Sequence, residues 1–121
     1  MGVLDNVENL LNGAGIKYTR EQGTIMMRWQ TDHFEDLKLK IVTNNDETWL
    51  YIIAPFTDFY QVDSAKQMNL ALDMLKQSWL ANGVKFALDN DNNIVVVAET
   101  NDTDLTVNEI RTLVSHVVHA C

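Results

Sequence analysis

The sequence is poor in residues that constrain a chain, with one cysteine, one proline and five glycines among 121 residues. The lone cysteine, Cys121, excludes an internal disulfide, so the chain does not need an oxidising compartment. No stretch approaches the roughly 20 apolar residues that cross a membrane, and Asp5 and Glu8 interrupt the apolar core that a signal peptide needs. We therefore predict a cytoplasmic protein that is neither secreted nor membrane-spanning.

Basic residues are also scarce, with nine lysines and arginines against 17 acidic residues and a formal charge of −8. This charge repels nucleic-acid phosphates and anionic lipids, so we predict no nucleic-acid partner and no membrane partner. Arg28, Lys38 and Lys40 have the spacing of a basic strip on one sheet face, but they lack interleaved aromatic residues of the kind that stack single-stranded bases. We interpret the strip as a solvated face.

Length and a 46% hydrophobic content predict one domain over residues 1–121. Helical spacing and end signals predict three helices. The first spans Val3–Leu11 before a glycine-rich stop, the second begins at Asp63 or Ser64 and runs to about Ala81, and the third follows the capping-box pair Thr106 and Glu109.

Alternation of apolar and polar residues predicts three strands before the second helix and two after it. Both faces of the third strand, Trp49–Ala54, are apolar, which indicates a central position in a sheet. Pro55 is predicted to end this strand or to lie at its edge. The predicted fold is α+β, in the order α-β-β-β-α-β-β-α, with a five-stranded antiparallel sheet packed with helices.

Candidate chemical sites each have a simpler structural explanation. His116, His119 and Cys121 have spacing that suits zinc on a helix, yet both histidines point away from the stripe that contains Ile110 and are interpreted as an exposed face. His33 lies in a separate acidic loop. The segment 89–93 lacks the glycine and the glutamate of a calcium loop and is interpreted as a hairpin turn. We predict no catalytic residue, no metal and no cofactor, and hence no enzyme.

The second helix carries two apolar faces. If Met68 marks the core side, Ala71, Leu72, Leu75 and Trp79 lie with it. On the opposite side, where apolar side chains would be exposed to solvent in a monomer, lie Leu70, Met74 and Ala81. Either the first helix or the loop 56–60 covers these side chains, or a second copy of the chain or a client protein does.

The doubly apolar strands support the same hypothesis. Leu50 and Ile52 oppose Trp49, Tyr51 and Ile53, and a second strand repeats this pattern. A five-stranded sheet with three helices covers one of its faces well and the other only in part. We therefore predict a homodimer with a possible polypeptide client, and the predicted partner contacts are Leu70, Met74, Ala81, Leu50, Ile52, Val95 and Val97.

Two stretches of the chain, Leu10–Tyr18 and Gly83–Glu99, together with the order of elements, resemble YbjN-type domains, which share the fold of type III secretion chaperones. The resemblance covers nearly the whole chain and depends on hydrophobic and turn patterns. It implies a dimeric, acidic, non-enzymatic domain that binds polypeptide segments or acts as a regulator. The alternative hypothesis is a small metal-binding or enzymatic protein that uses its surface histidines.

Overall fold

A computed structural model describes residues 2–31, 34–102 and 104–121. These ranges contain three α-helices and six strands, with a short 3-10 turn over Phe59–Gln61. In chain order the elements are α1 Val3–Ala14, β1 Thr19–Glu21, β2 Thr24–Trp29, β3 Leu37–Thr43, β4 Leu50–Asp58, α2 Ser64–Leu80, β5 Lys85–Leu88, β6 Asn93–Thr100 and α3 Val107–Ala120. The strands form one sheet in the order β1-β2-β3-β4-β6-β5. Every neighbouring pair is antiparallel.

The α+β architecture is confirmed, but the described residues form six strands rather than five. The additional strand is β1, whose three residues are all exposed and form a hairpin with β2. Because Thr19–Glu21 contains no apolar residue, it has no alternating pattern that predicts a strand. The prediction that Pro55 ends its strand is wrong, since β4 continues to Asp58. Proline is tolerated because the pairing of β4 with β3 has already ended at Ile53.

Hydrogen bonds confirm the predicted helix caps, although α1 continues to Ala14, three residues beyond its predicted end at Leu11. Asp63 caps α2 by accepting a bond from the Ala65 backbone N–H at 3.3 Å. Thr106 and Glu109 form a reciprocal capping box at the start of α3, with both bonds at 3.2 Å. Gly15 ends α1 in a left-handed conformation with φ of 72°.

Helices α1 and α3 pack on one face of the sheet, which we call the covered face. Its core combines Leu4, Val7 and Leu11 of α1 and Ile110, Val114 and Val117 of α3 with sheet residues of that face. At the edge, the Arg20 guanidinium donates hydrogen bonds to Asp5 and Glu8 of α1. The bond from Arg20 is the main reason why the pKa of Asp5 lies below its usual value.

Strand register places Leu50 and Ile52 on the covered face. Ile52 lies between Ile41 of β3 and Ala98 of β6, and its side chain is 1% exposed. The predicted orientation of Leu50 and Ile52 is therefore wrong, because both residues belong to the core and have no free surface for a partner. Alternation along β4 separates Leu50 and Ile52 from the residues between them, but both sets of side chains are apolar. Only the register of β4 with β3 and β6 therefore decided which set is inside.

Candidate protein-binding surfaces

The orientation of α2 is the reverse of the predicted one. None of its 17 residues, all of which the structure describes, is buried. Of the five predicted core-facing side chains, Ala71 is half-buried and the other four are exposed, by 70% at Met68, 47% at Leu72, 68% at Leu75 and 86% at Trp79. We call these four residues the α2 stripe.

Contacts with the edge of the sheet explain this orientation. The Ser78 hydroxyl accepts a hydrogen bond from the Phe86 backbone N–H at 2.8 Å and lies 3.3 Å from the Phe86 carbonyl oxygen. It thereby occupies the free edge of β5, which would otherwise expose unpaired backbone groups. Ser78 and Met74 share one side of α2. The α2 stripe consequently faces away from the rest of the chain.

The spacing of the α2 stripe is informative. Intervals of four, three and four residues separate its members, and this is the seam pattern by which one α-helix packs lengthwise against another. The sequence contains this signal, but helical spacing alone assigned the seam to the core of the chain. The candidate partner contacts that sequence reasoning missed are therefore the four residues of the α2 stripe, which were predicted to face the core.

Leu70 and Met74 line an apolar groove on the covered face. The groove has a volume of about 230 Å³ and lies between α2, the strands β5 and β6, and the last residues of α3, with further lining from Phe56, Phe86 and Cys121. Leu70 and Met74 are half-buried, whereas Ala81 packs against the core. The binding role of Leu70, Met74 and Ala81 stays a prediction, and the groove explains why these residues are apolar without a partner.

The thiol in this groove is expected to react slowly. Burial raises the pKa of Cys121 to about 11, so the thiolate fraction at pH 8 is about two orders of magnitude below that of an exposed cysteine. Initial rates with Ellman's reagent should therefore be about a hundredfold below those of a cysteine peptide and should rise with pH without a plateau up to about pH 9.5. Protein unfolded in urea should react as the peptide does. A folded-protein rate equal to the peptide rate would contradict the burial of this thiol.

The opposite face of the sheet carries no helix within the described residues, and we call it the open face. Val95 and Val97 lie on it, opposite the core residue Val96, and Val97 is the register partner of Ile53 on β4. Tyr51 and Ile53 are half-buried there. The apolar residues of β4 that face outward are therefore Tyr51 and Ile53. Val95 and Val97 lie on the same face but are only 6% and 7% exposed, so their role as partner contacts stays a prediction.

Polar turns close the hairpins β3–β4 and β5–β6, the second of which lies at the predicted turn 89–93. The Asn44 side-chain oxygen accepts hydrogen bonds from the backbone N–H groups of Thr48 and Trp49, both at 2.9 Å. The Asp89 carboxylate accepts bonds from the backbone N–H groups of Asp91 and Asn93, both at 2.9 Å. The Asn93 backbone bond is the main cause that lowers the pKa of Asp89. Asp89 therefore stabilises its own turn, as predicted, and its oxygens are committed to protein donors.

The histidines are not gathered into one site. His119 is exposed, as predicted, with Nδ1 3.2 Å from the Ser115 hydroxyl. His116 is instead half-buried against Gly83, and its Nδ1 is buried without a hydrogen-bond partner among the described residues. In the part of the chain that the structure describes, no group of three histidine, cysteine or acidic side chains is arranged to hold a metal ion. The predicted loop residue His33 lies outside the described residues.

Among the described helices, none is long and apolar enough to span a lipid bilayer.

Comparison with protein-family models and with curated protein sequences gives no match. Solved structures do share the fold. YbjN from E. coli is 19% identical with a TM-score of 0.72, and the match covers 97% of this chain and 84% of that one.

Two solved complexes match over similar lengths. A chain of the ExsC–ExsE complex is 16% identical with a TM-score of 0.67, covering 99% of this chain and 92% of that one. The structure of the Yersinia pestis type III secretion chaperone SycH with a fragment of YscM2 matches at 17% identity and a TM-score of 0.57, covering 93% and 90%. At these identities the likeness concerns the fold alone. The chain therefore has the fold shared by YbjN and type III secretion chaperones, as the resemblance in its sequence predicted.

Proposed function

We propose that this protein is a cytoplasmic homodimer that binds polypeptide segments, as a chaperone or as a regulator that acts through protein contact. The observation that carries the proposal is the α2 stripe, an exposed row of four large apolar side chains. Burying a large apolar side chain stabilises an assembly by about 1.5–3 kcal/mol. Exposed contiguous apolar surface of this kind is typical of interaction sites.

A second copy of α2 is the occupant that fits the stripe. The seam spacing matches a helix with the same spacing, and a two-fold dimer supplies such a helix with no additional partner. The positions that flank the seam, Asn69, Ala71, Lys76 and Ser78, include only one charged residue. Two copies of α2 can therefore approach each other without a series of like-charge contacts.

Two further surfaces are left for a client. The groove next to Leu70 and Met74 lies on the covered face, and the open face presents the half-buried Tyr51 and Ile53. The ExsC–ExsE complex and the complex of SycH with a YscM2 fragment are solved assemblies with polypeptide partners. The fold that this chain shares with these complexes supports a polypeptide client. The lone cysteine supports a reducing compartment, in agreement with the proposed cytoplasmic location.

Two measurements test the proposal. Light scattering at micromolar concentration should give twice the chain mass of 13.8 kDa. Fluorescence anisotropy should show binding of labelled, reduced and carboxymethylated α-lactalbumin, which is permanently unfolded, and no binding of native α-lactalbumin. A monomer at these concentrations would contradict the dimer, and equal binding of both forms of α-lactalbumin, or binding of neither, would contradict the polypeptide-binding function.

A further inference from the structure

Three cations lie together on the open face. Arg28 of β2 is the register partner of Lys38 of β3, and Met26 is the partner of Lys40. Alternation along both strands directs these side chains away from the covered face, where Met27 and Leu39 are buried. These are three of the nine basic residues of a chain with a net charge of −8, so basic residues are concentrated in this part of the open face.

Two of these cations are available to an incoming group. The Arg28 guanidinium lies 3.5 Å from the Asp36 carboxylate. Within the described residues, neither Lys38 nor Lys40 takes part in an ion pair. Lys40 makes only a minor contribution to the lowered pKa of Asp89, whose oxygens accept backbone hydrogen bonds in their own turn.

Apolar side chains adjoin the two lysines. Lys40 is the register partner of Ile53, and Val42 is the partner of Tyr51. Ile53, Val42 and Tyr51 are all half-buried, so each presents part of its surface to solvent. The open face at β2, β3 and β4 therefore combines two unpaired ammonium groups with accessible apolar surface. Strand β3, which carries both lysines, lies about 14 Å, or three strand spacings, from β5 and the adjoining α2.

This combination favours a polypeptide over a nucleic acid. Lys38 and Lys40 are separated by about 7 Å along their strand, which matches the distance between alternate side chains of another extended chain. A nucleic acid would bring many phosphates toward a molecule with a charge of −8, and of the three neighbours Ile53, Val42 and Tyr51 only Tyr51 has a ring that could stack on a base.

We propose that the open face binds an extended client segment with two acidic side chains at alternate positions next to apolar residues. The acidic groups pair with Lys38 and Lys40, and the apolar residues contact Ile53 and its neighbours. This inference rests on the proposed polypeptide-binding function and adds the chemistry of the client. It also assigns client binding and dimerisation to different ends of the sheet.

The test uses three short fluorescein-labelled peptides that are identical except at two alternate positions, which are both glutamate, both glutamine or both lysine. In about 50 mM salt the glutamate peptide should bind the full-length protein about fivefold more tightly than the glutamine peptide, and the difference should disappear in about 500 mM salt. Lys38→Glu should abolish this preference. Lys66→Glu on α2 changes the net charge equally at another exposed site and should leave the preference intact.

The inference would be overturned if the protein bound none of the peptides, or if it bound the lysine peptide as tightly as the glutamate peptide or more tightly. A preference for the glutamate peptide that survives Lys38→Glu would also overturn it. So would tighter binding of a labelled oligodeoxythymidine than of the glutamate peptide. Capture of unfolded α-lactalbumin without a preference for the glutamate peptide would overturn this inference and leave the proposed function standing. If the protein bound neither unfolded α-lactalbumin nor the glutamate peptide, both this inference and the proposed polypeptide-binding function would be overturned. Light scattering of Lys38→Glu should show the wild-type mass, which separates a client defect from an assembly defect.

Discussion

Replacing Leu72 and Leu75 together by aspartate is expected to convert the homodimer into a folded monomer. Both leucines belong to the α2 stripe and are exposed within one chain, by 47% and 68%, so the substitutions remove few contacts inside the protomer. In the dimer they would place four carboxylates in an apolar seam, where an unpaired charge costs several kcal/mol. We expect the dissociation constant of the dimer to rise by at least about a thousandfold, which corresponds to about 4 kcal/mol.

Light scattering tests this prediction through the mass of the variant, and circular dichroism tests it through the helical content and the thermal midpoint. The double variant should have the mass of one chain with an unchanged helical signal, and its thermal midpoint should no longer depend on protein concentration. Leu80→Asp is the matched control, because Leu80 is 66% exposed on the same helix but lies outside the stripe. A variant that remains dimeric with intact helicity, or a control that dissociates equally, would show that the stripe is not the dimer seam.

The second large effect is expected on β4, where adjacent isoleucines should respond oppositely to the same substitution. Ile52→Asp should prevent folding, because Ile52 is 1% exposed in the core and an unpaired buried charge costs more than about 4 kcal/mol, a large part of a typical domain stability of about 5–15 kcal/mol. Ile53→Asp should change stability by less than about 1 kcal/mol, since it faces solvent opposite Lys40.

Urea unfolding followed by circular dichroism compares the two sites. If Ile52→Asp yields no soluble protein, Ile52→Ala provides the measurement, with an expected loss of about 2–5 kcal/mol from the cavity that it creates. Ile53→Ala is its matched control and should cost less than about 1 kcal/mol. If the Ile53 variants are the more damaging pair, then the register between β3 and β4 differs from the one described here.

Local signals predicted the boundaries of the elements well. The capping box of Thr106 and Glu109, the Asp63 cap and the Gly15 stop all depend on side chains within a few residues of the backbone groups that they satisfy. The turns at Asn44 and Asp89 have the same local origin. The one missed strand, β1, is polar and short, and it forms by pairing with β2. Such a strand has no burial pattern of its own to detect.

The orientation of amphipathic elements was harder to predict. On α2, helical periodicity correctly grouped Met68, Leu72 and Trp79 on one side and Leu70 and Met74 on another, but both groups are apolar. The choice of Met68 as the core side therefore assigned the wrong one of two apolar faces to the core. The structure reverses this assignment because Ser78, on the side of Met74, satisfies the backbone of the edge strand at Phe86. The deciding interaction joins residues in different elements, and the spacing within α2 contains no trace of it.

The sequence by itself determined that this protein is an acidic α+β chain, which residues begin and end its helices, and that it carries more apolar surface than one sheet face and three helices can cover. These properties depend on composition and on contacts between near neighbours along the chain. The tertiary structure alone decided that Ile52 is buried while Ile53 faces outward, and that the α2 stripe points to solvent. Both decisions depend on strand register and on contacts at the sheet edge, and these arise between segments that are distant in the sequence.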